Sequence, residues 1–173
     1  MNFISARLYV STRTRPLTAD EAETKRIAYA LKDPLYQAEV FTIAGAEMAR
    51  LISGHCVLVP VPNRSGSCVA NERLCKAIAM FVPDCKIYSV LDRRETVSSQ
   101  CERHKKGIGP LSVMQHQIIR LRQDRLSMPV YLVDNVTTSG NTLEACNHWF
   151  SYLAIGLVWA DASRTMSWVD RNK

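Results

Sequence analysis

The stretch PVYLVDNVTTSGNTL, residues 129–143, changes from apolar to polar within a few positions. Its first part, VYLVD (130–134), is a run of aromatic and aliphatic residues without polar alternation, which is typical of a strand buried on both faces of a parallel sheet. Small polar residues and one glycine follow, and then a segment that predicts a helix over 141–153. A buried strand, a polar turn and a helix in succession predict one unit of an α/β fold.

Further strand-like and helix-like segments alternate along the chain. Besides VYLVD, the strand candidates are CVLVPVP (56–62), IGLVWA (155–160) and, more weakly, CKIYSVL (85–91) and FISARLYV (3–10). The predicted helices span 19–31, 37–52, 69–81 and 141–153. This alternation predicts a three-layer α/β sandwich with a central, mostly parallel sheet, formed by one domain over residues 1–173.

The composition is that of a globular protein with a preference for anions. With 173 residues, 47% of them hydrophobic, the chain can bury one full core. Its longest nearly apolar run, 152–160, is about half the length of a membrane span, and the N-terminus has no signal-peptide pattern. We therefore expect a soluble, cytoplasmic protein. The net charge of +6 favours an anionic ligand.

The cysteines are scattered singly, without a CxxC pair or a histidine at zinc-finger spacing. This pattern predicts reduced, mostly buried thiols and gives no support for a zinc site. The six are Cys56, Cys68, Cys75, Cys85, Cys101 and Cys146.

Ligands of parallel α/β sheets bind outside the carboxyl ends of the strands. The loops after Pro62, Leu91 and Asp134 therefore form one candidate site. The basic segment 93–106 carries a local charge of +3 from five basic and two acidic residues, a pattern that is usually a solvated loop.

The turn after Asp134 has the chemistry of a phosphate site. Backbone N–H groups at a helix N-terminus, the helix dipole and nearby hydroxyl groups all favour an anion, and Gly140 allows close approach or a positive φ. The alternative is an ordinary strand-to-helix turn, in which Asn141 is the N-cap and Glu144 its capping partner.

The motif VYLVDNVTTSGNTL resembles the ribose-5-phosphate motif of type I phosphoribosyltransferases, which has two adjacent acids, a hydrophobic residue and a TTGxT-like turn. Asp134 falls on the first acid, Asn135 on the second and Val136 on the hydrophobic position. By this resemblance the phosphate-binding residues are Thr137, Thr138, Ser139, Gly140, Asn141 and Thr142.

Three other segments are similar to the competence-associated, ComF-like branch of that family. They are KRIAYALKDP (25–34), VLVPVPNRSG (57–66) and RRETVSSQCERHKKG (93–107). The first places Lys32 on a family lysine, although Lys32 also suits the C-terminal dipole of its own helix. The N-terminal zinc ribbon that many of these relatives carry is not found in this sequence.

The resemblance implies transfer of ribose 5-phosphate from phosphoribosyl pyrophosphate (PRPP) to a base or another small nitrogen nucleophile, with Mg²⁺ bound through PRPP. Asp134 and Asn135 would act at the ribose, and Asp134 is the candidate for a direct Mg²⁺ contact. The implied pyrophosphate loop and lid contain Asn63, Arg64, Ser65, Arg103, Lys105 and Lys106. Solvated surface positions are the alternative for Arg64 and for the Lys105–Lys106 pair.

Asn135 departs from the family motif, because an amide supplies no negative charge to a cationic transition state. Exchanging a charge-assisted hydrogen bond for a neutral one should cost on the order of 1 kcal/mol, or roughly five- to tenfold in rate. The alternative function is therefore a non-catalytic nucleotide or PRPP sensor, or a regulator that binds nucleic acid through its basic surface. A homodimer is the default expectation for either function.

Overall fold

The computed structural model describes residues 2–10, 15–98, 102–103, 106–109, 111–124 and 126–163. Within these ranges the chain forms seven strands and four α-helices. The strands are β1 (Phe3–Leu8), β2 (Val57–Pro60), β3 (Lys86–Ile87), β4 (Leu91–Arg93), β5 (Ile118–Arg120), β6 (Val130–Thr137) and β7 (Ile155–Asp161). The helices are α1 (Ala19–Ala30), α2 (Ala38–Ala49), α3 (Val69–Ala79) and α4 (Asn141–Asn147).

Two elements are shorter than the sequence predicts. The segment 85–91 is not one strand, because β3 contains only Lys86–Ile87 and the chain then leaves the sheet to begin β4 at Leu91. The helix predicted over 141–153 ends at Asn147, and a single 3-10 turn follows. Ser151 and Tyr152 have positive φ angles of 53° and 61°, which no helix can continue through.

Five strands form one parallel sheet in the order β1-β7-β6-β2-β3. Because β2 and β6 are neighbours, with Pro60 opposite Val133, the loops that follow them leave the same edge of the sheet. We call this the carboxyl edge. The opposite, amino edge contains the loops that enter β2 and β3.

Helices cover both faces of the sheet, because successive strand residues point to opposite sides. Leu58 and Trp159 belong to the core under α1, α2 and α3, whereas Val59 and Val158 belong to the core under α4. The predicted α/β sandwich with a central parallel sheet is thus confirmed, and β2 and β7 are apolar without alternation because both of their faces are buried.

A small antiparallel hairpin of β4 and β5 lies outside the central sheet. It pairs Leu91 with Arg120 and Arg93 with Ile118. Its apolar residues Leu91 and Ile118 join the core under α4. The hairpin therefore brings the two ends of the 94–117 segment to the α4 side of the sheet.

The helices are short and closely packed. A Cβ added to Gly45 of α2 would lie 2.6 Å from the backbone carbon of Ala77 in α3, so glycine permits this helix crossing. Helix α1 begins with a capping box, in which the Thr18 hydroxyl accepts from the Glu21 N–H and the Glu21 carboxylate accepts from the Thr18 N–H. Among the helices of the described ranges, none has both the length and the hydropathy to cross a membrane.

Candidate functional site at the carboxyl edge

Asp134 lies inside β6, although the sequence predicts that the strand stops there. The strand continues because its neighbour β7 reaches Asp161 and offers pairing partners as far as Thr137. On its other side β6 loses its partner earlier, since the last hydrogen bond toward β2 runs from the Val61 N–H to the Val133 carbonyl. Asp134 is thus the first residue of β6 beyond the β2 pairing.

Two donors hold one oxygen of the Asp134 carboxylate. Asn71 Nδ2 donates to Oδ1 at 3.1 Å, and the backbone N–H of Asn135 donates to the same oxygen at 2.8 Å. Burial raises the pKa of Asp134 from 3.8 to about 6, while these hydrogen bonds and the positive charges of Lys32 and Arg93 act in the opposite direction. The Asp134 side chain is half-buried, so its carboxylate is only partly solvated.

Asn71 is a site residue that the sequence analysis missed. It lies in the first turn of α3, is only 5% exposed, and also donates to the Val61 carbonyl at 2.8 Å. A polar residue at helical spacing from buried Leu74, Cys75 and Ile78 was the available signal, because it places an amide on the apolar face of the helix.

Asn135 is held by backbone groups on both sides. Its Oδ1 accepts from the Val136 N–H at 2.7 Å, and its Nδ2 donates to the Leu31 carbonyl at 3.5 Å. The amide therefore braces the end of α1 against β6. This position carries no negative charge.

The turn between β6 and α4 has Gly140 as the N-cap, with φ of +75°. The alternative interpretation, in which Asn141 caps the helix with Glu144 as partner, is wrong. Asn141 is the first helical residue, and its side chain donates instead to the Leu111 carbonyl at 2.6 Å. A cleft of about 260 Å³ lies beside the turn and is lined by Phe3, Ser139, Gly140, Asn141 and Glu144.

Arg93 connects the loop after β2 with the segment that precedes β5. It is only 7% exposed; its Nε donates to the Asn63 carbonyl at 3.0 Å, and its Nη1 donates to the His116 carbonyl. His116 in turn lies 3.5 Å from the Thr142 hydroxyl through Nδ1. One buried cation therefore joins the two loops that the sequence assigned to phosphate and pyrophosphate.

The same burial keeps His116 neutral. Desolvation, together with the charge of Arg93, lowers the pKa of His116 to about 4. Desolvation also lowers the pKa of Arg93, although the Cys146 thiol and Asp134 counteract this effect. Arg93 makes no ion pair with a carboxylate of the described residues, so its charge is balanced only at longer range.

The loop after β2 is shaped by its own side chains. Asn63 Oδ1 accepts from the Ser65 N–H at 2.9 Å and from the Ser65 hydroxyl at 2.8 Å. Gly66 has φ of +91°, and a Cβ there would approach Asp92 Oδ1 to 3.1 Å. The loop therefore turns tightly against β4 and exposes Asn63, Arg64 and Ser65.

The basic segment contacts this loop. Arg64 pairs with Glu102 at 3.0 Å, and the Arg64 carbonyl accepts from the Val97 N–H at 3.0 Å. Arg103 donates to the Gly109 carbonyl at 2.7 Å, Lys106 is exposed, and Lys105 lies outside the described residues.

Lys32 follows the end of α1 and places its ammonium group 5.0 Å from the centre of the Tyr29 ring. Its charge nevertheless acts on Asp134, where it favours the ionised carboxylate. The charge interaction with Asp134 fits the interpretation of Lys32 as a site residue. The contact with Tyr29 places the same ammonium group at the end of α1, as the helix-end interpretation expects.

No protein-family model matches the chain, and no curated protein matches it. The α/β fold with a central parallel sheet is compatible with the type I phosphoribosyltransferase fold without being specific to it. Function must therefore be argued from the residues of the site itself.

The described residues contain no cluster of three or more His, Cys, Asp or Glu side chains that could hold a metal ion. Asp134 is a suitable single contact for Mg²⁺, which commonly takes one or two carboxylates together with substrate phosphates. The five described cysteines are free; Cys56, Cys75 and Cys146 are buried, and burial raises the pKa of each of these thiols. Cys68 and Cys85 are partly exposed, and Cys101 lies outside the described residues.

Proposed function

We propose that this protein is a Mg²⁺-dependent phosphoribosyltransferase that uses PRPP and a base or another small nitrogen nucleophile. The observation that supports this proposal most strongly is the position of Asp134. A partly buried carboxylate lies in β6 just beyond its last pairing with β2, four residues before the 138–142 turn, and the cations Lys32 and Arg93 act on it. Such an acid suits a ribose ring that gains positive charge in the transition state.

In this proposal the 5-phosphate lies on the turn from Thr138 to Thr142, and Thr137 supports the turn from the end of β6. Asp134 accepts a hydrogen bond from a ribose hydroxyl. The nucleophile attacks the anomeric carbon as the bond to pyrophosphate breaks, so the leaving group departs with its bonding electron pair. Ionised Asp134 stabilises the charge that develops on the ring, because opposite charges attract more strongly where a carboxylate is partly withdrawn from water.

The pyrophosphate lies against the exposed groups of Asn63, Arg64 and Ser65. The Arg64–Glu102 pair joins this loop to the lid segment, and an ion pair in which both side chains are about half exposed is worth only about 0–1 kcal/mol. Pyrophosphate can therefore replace Glu102 at little cost. Arg103, Lys105 and Lys106 supply further positive charge from the lid, and Mg²⁺ bound with PRPP would neutralise part of the leaving-group charge.

Asn135 favours a second candidate function, that of a PRPP or nucleotide sensor without turnover. Its side chain is already hydrogen-bonded to Val136 and Leu31, and it adds no charge at the ribose. This protein would bind the same ligand through Asp134 but release no pyrophosphate. In a related form, the net charge of +6 would bind nucleic acid with a steep dependence on salt.

The test is calorimetric titration of the protein with PRPP in the presence of Mg²⁺. The parent should bind, and Asp134→Ala should bind at least tenfold more weakly, whereas His55→Ala at the amino edge should bind as the parent does. Equal affinity of the parent and Asp134→Ala would refute the site.

Turnover separates the two candidate functions. Pyrophosphate release is measured with a panel of purine and pyrimidine bases as acceptors. Release with one acceptor supports the enzyme, whereas tight binding of PRPP without release supports the sensor. Binding of DNA or RNA, measured from low to high salt, tests the nucleic-acid form, and absence of binding at low salt excludes it.

A further inference from the structure

Asn71 is a buried amide in a place where a hydrophobic residue would pack. It lies on the apolar face of α3, and its Oδ1 is buried without a hydrogen-bond partner among the described residues. An unsatisfied buried polar atom costs roughly 1–3 kcal/mol. The chain therefore retains Asn71 at a cost, which indicates that its two donated hydrogen bonds have a purpose beyond packing.

Those two hydrogen bonds connect the ends of neighbouring strands. Asn71 Nδ2 donates at 2.8 Å to the carbonyl of Val61, which follows β2, and at 3.1 Å to Asp134 Oδ1 in β6. They bridge the sheet where the pairing of β2 with β6 has ended. The side-chain amide of Asn71 thus supplies a hydrogen-bond donor where the backbone pairing of the two strands no longer does.

The bridge also determines which oxygen of Asp134 is available. The hydrogen bonds that the described residues make to this carboxylate, from Asn71 and from the Asn135 N–H, both go to Oδ1. A third donor, such as a ribose hydroxyl, is therefore directed to Oδ2. Asn71 thereby orients the carboxylate toward a ligand.

The other groups that act on Asp134 come from three elements. Lys32 after α1 and Arg93 in β4 are cations that favour the ionised form, and the Cys146 thiol in α4 is a neutral neighbour. Of the two groups that donate directly to the carboxylate, only Asn71 does so through a side chain, so it is the contact that a substitution can remove.

We propose that Asn71 is a positioning residue that holds Oδ1 of the Asp134 carboxylate so that Oδ2 accepts from a ribose hydroxyl. The ribose in this statement rests on the proposed function, whereas the coupling of Asn71 to Asp134 does not. Without Asn71 the carboxylate loses a donor that favours its charged form, so it ionises at higher pH.

The test is the titration of the Asp134 carboxyl carbon by NMR in the parent and in Asn71→Ala, with Asp134→Asn used to assign the signal. The midpoint should rise by on the order of half to one pH unit, which corresponds to one hydrogen bond of about 1 kcal/mol. An unchanged midpoint would overturn the proposal.

Asn147→Ala is the matched control. Asn147 is also a buried amide, 2% exposed, but its Oδ1 accepts from the Ala154 N–H at 2.9 Å and it makes no hydrogen bond to Asp134 among the described residues. Both variants should lose stability, but only Asn71→Ala should shift the midpoint. If the alanine variants do not fold, the side-chain amide signals of the parent are followed instead. Those of Asn71 should move with the titration of Asp134 and those of Asn147 should not, and a pH-independent Asn71 signal would overturn the proposal.

PRPP binding then separates this proposal from the proposed function. If the parent binds PRPP, Asn71→Ala should bind it several-fold more weakly, whereas Asn147→Ala should bind it as the parent does. Equal affinity of the parent and Asn71→Ala would refute the positioning role and leave the function intact. If the parent does not bind PRPP, the proposed function fails, and the NMR result still decides the coupling.

Discussion

The two edges of the sheet differ in what they bury. The carboxyl edge gathers buried polar side chains around Asp134, namely Asn71, Arg93, His116, Thr137 and Asp161. The amino edge has a cleft of about 280 Å³ lined mainly by Ala49, Ile52, Phe81, Val82 and Pro83. The titratable side chains at that cleft, His55 and Asp84, lie 3.6 Å apart and are both well exposed.

This difference is also a difference in the free-energy cost of burial at the two edges. A polar group costs free energy on burial unless its hydrogen bonds are replaced, and an ionised group costs more. At the carboxyl edge the chain buries an arginine and a histidine and partly buries an acid, and the pKa of each is shifted toward the neutral form. At the amino edge the side chains of His55 and Asp84 remain in water, so they avoid this cost.

The largest effect is expected from Arg93→Met. This substitution deprives the Asn63 and His116 carbonyls of their donor, and it should lower the free energy of unfolding by roughly 2–4 kcal/mol, less any gain from removing a buried charge. Urea denaturation measures the change. Arg26→Met is the control, because Arg26 forms an exposed pair with Glu23, and it should leave the stability essentially unchanged. Equal effects of the two substitutions would contradict the contrast between buried and exposed cations.

Asp134→Asn should act in the opposite direction. Since burial raises the pKa of Asp134 from 3.8 to about 6, the folded state binds more protons than the unfolded state between these values, and the parent loses stability as the pH rises through this window. The variant has no such loss. At pH 8 it should be more stable than the parent by on the order of 1–3 kcal/mol, and below pH 4 the difference should vanish.

Urea denaturation of both proteins from pH 3.5 to 8 measures this effect, and His116 is present in both, so its own titration cancels. A variant less stable than the parent at pH 8 would show that the Asp134 carboxylate stabilises the folded state, which would contradict this prediction. Binding of PRPP should be lost in the variant at every pH.

The smallest effect is expected from alanine substitution of two glycines, one at each edge of the sheet. Gly140 has φ of +75° and Gly54 has φ of +73°; a Cβ would meet only Phe3 Cε1 at 3.9 Å in the first case and nothing within 4 Å in the second. Alanine at either position should therefore cost about 1 kcal/mol through backbone strain alone. Thermal unfolding should show two similar losses, and only Gly140→Ala should also weaken PRPP binding. Equal weakening by both would mean that the 138–142 turn does not contact the ligand.

Local sequence patterns were sufficient for most of the architecture. Non-alternating apolar runs identified β2, β6 and β7 because a strand covered on both faces has no polar side. The wrong boundaries occur where a neighbouring element decides the outcome. β6 passes Asp134 because β7 continues beside it, and the helix predicted to 153 ends at Asn147 because the following turn takes positive φ angles.

The sequence by itself determined that this chain forms an α/β sheet with a polar turn after a buried strand, since strand burial and turn chemistry depend on residues close together. The tertiary structure alone decided that Asn71 and Arg93 belong to the site. Asn71 meets Asp134 across 63 positions of the chain, and Arg93 meets Asn63 across 30. The helical pattern could place Asn71 on the apolar face of α3, but which distant side chain it meets there depends on how the elements pack, and no local pattern records that.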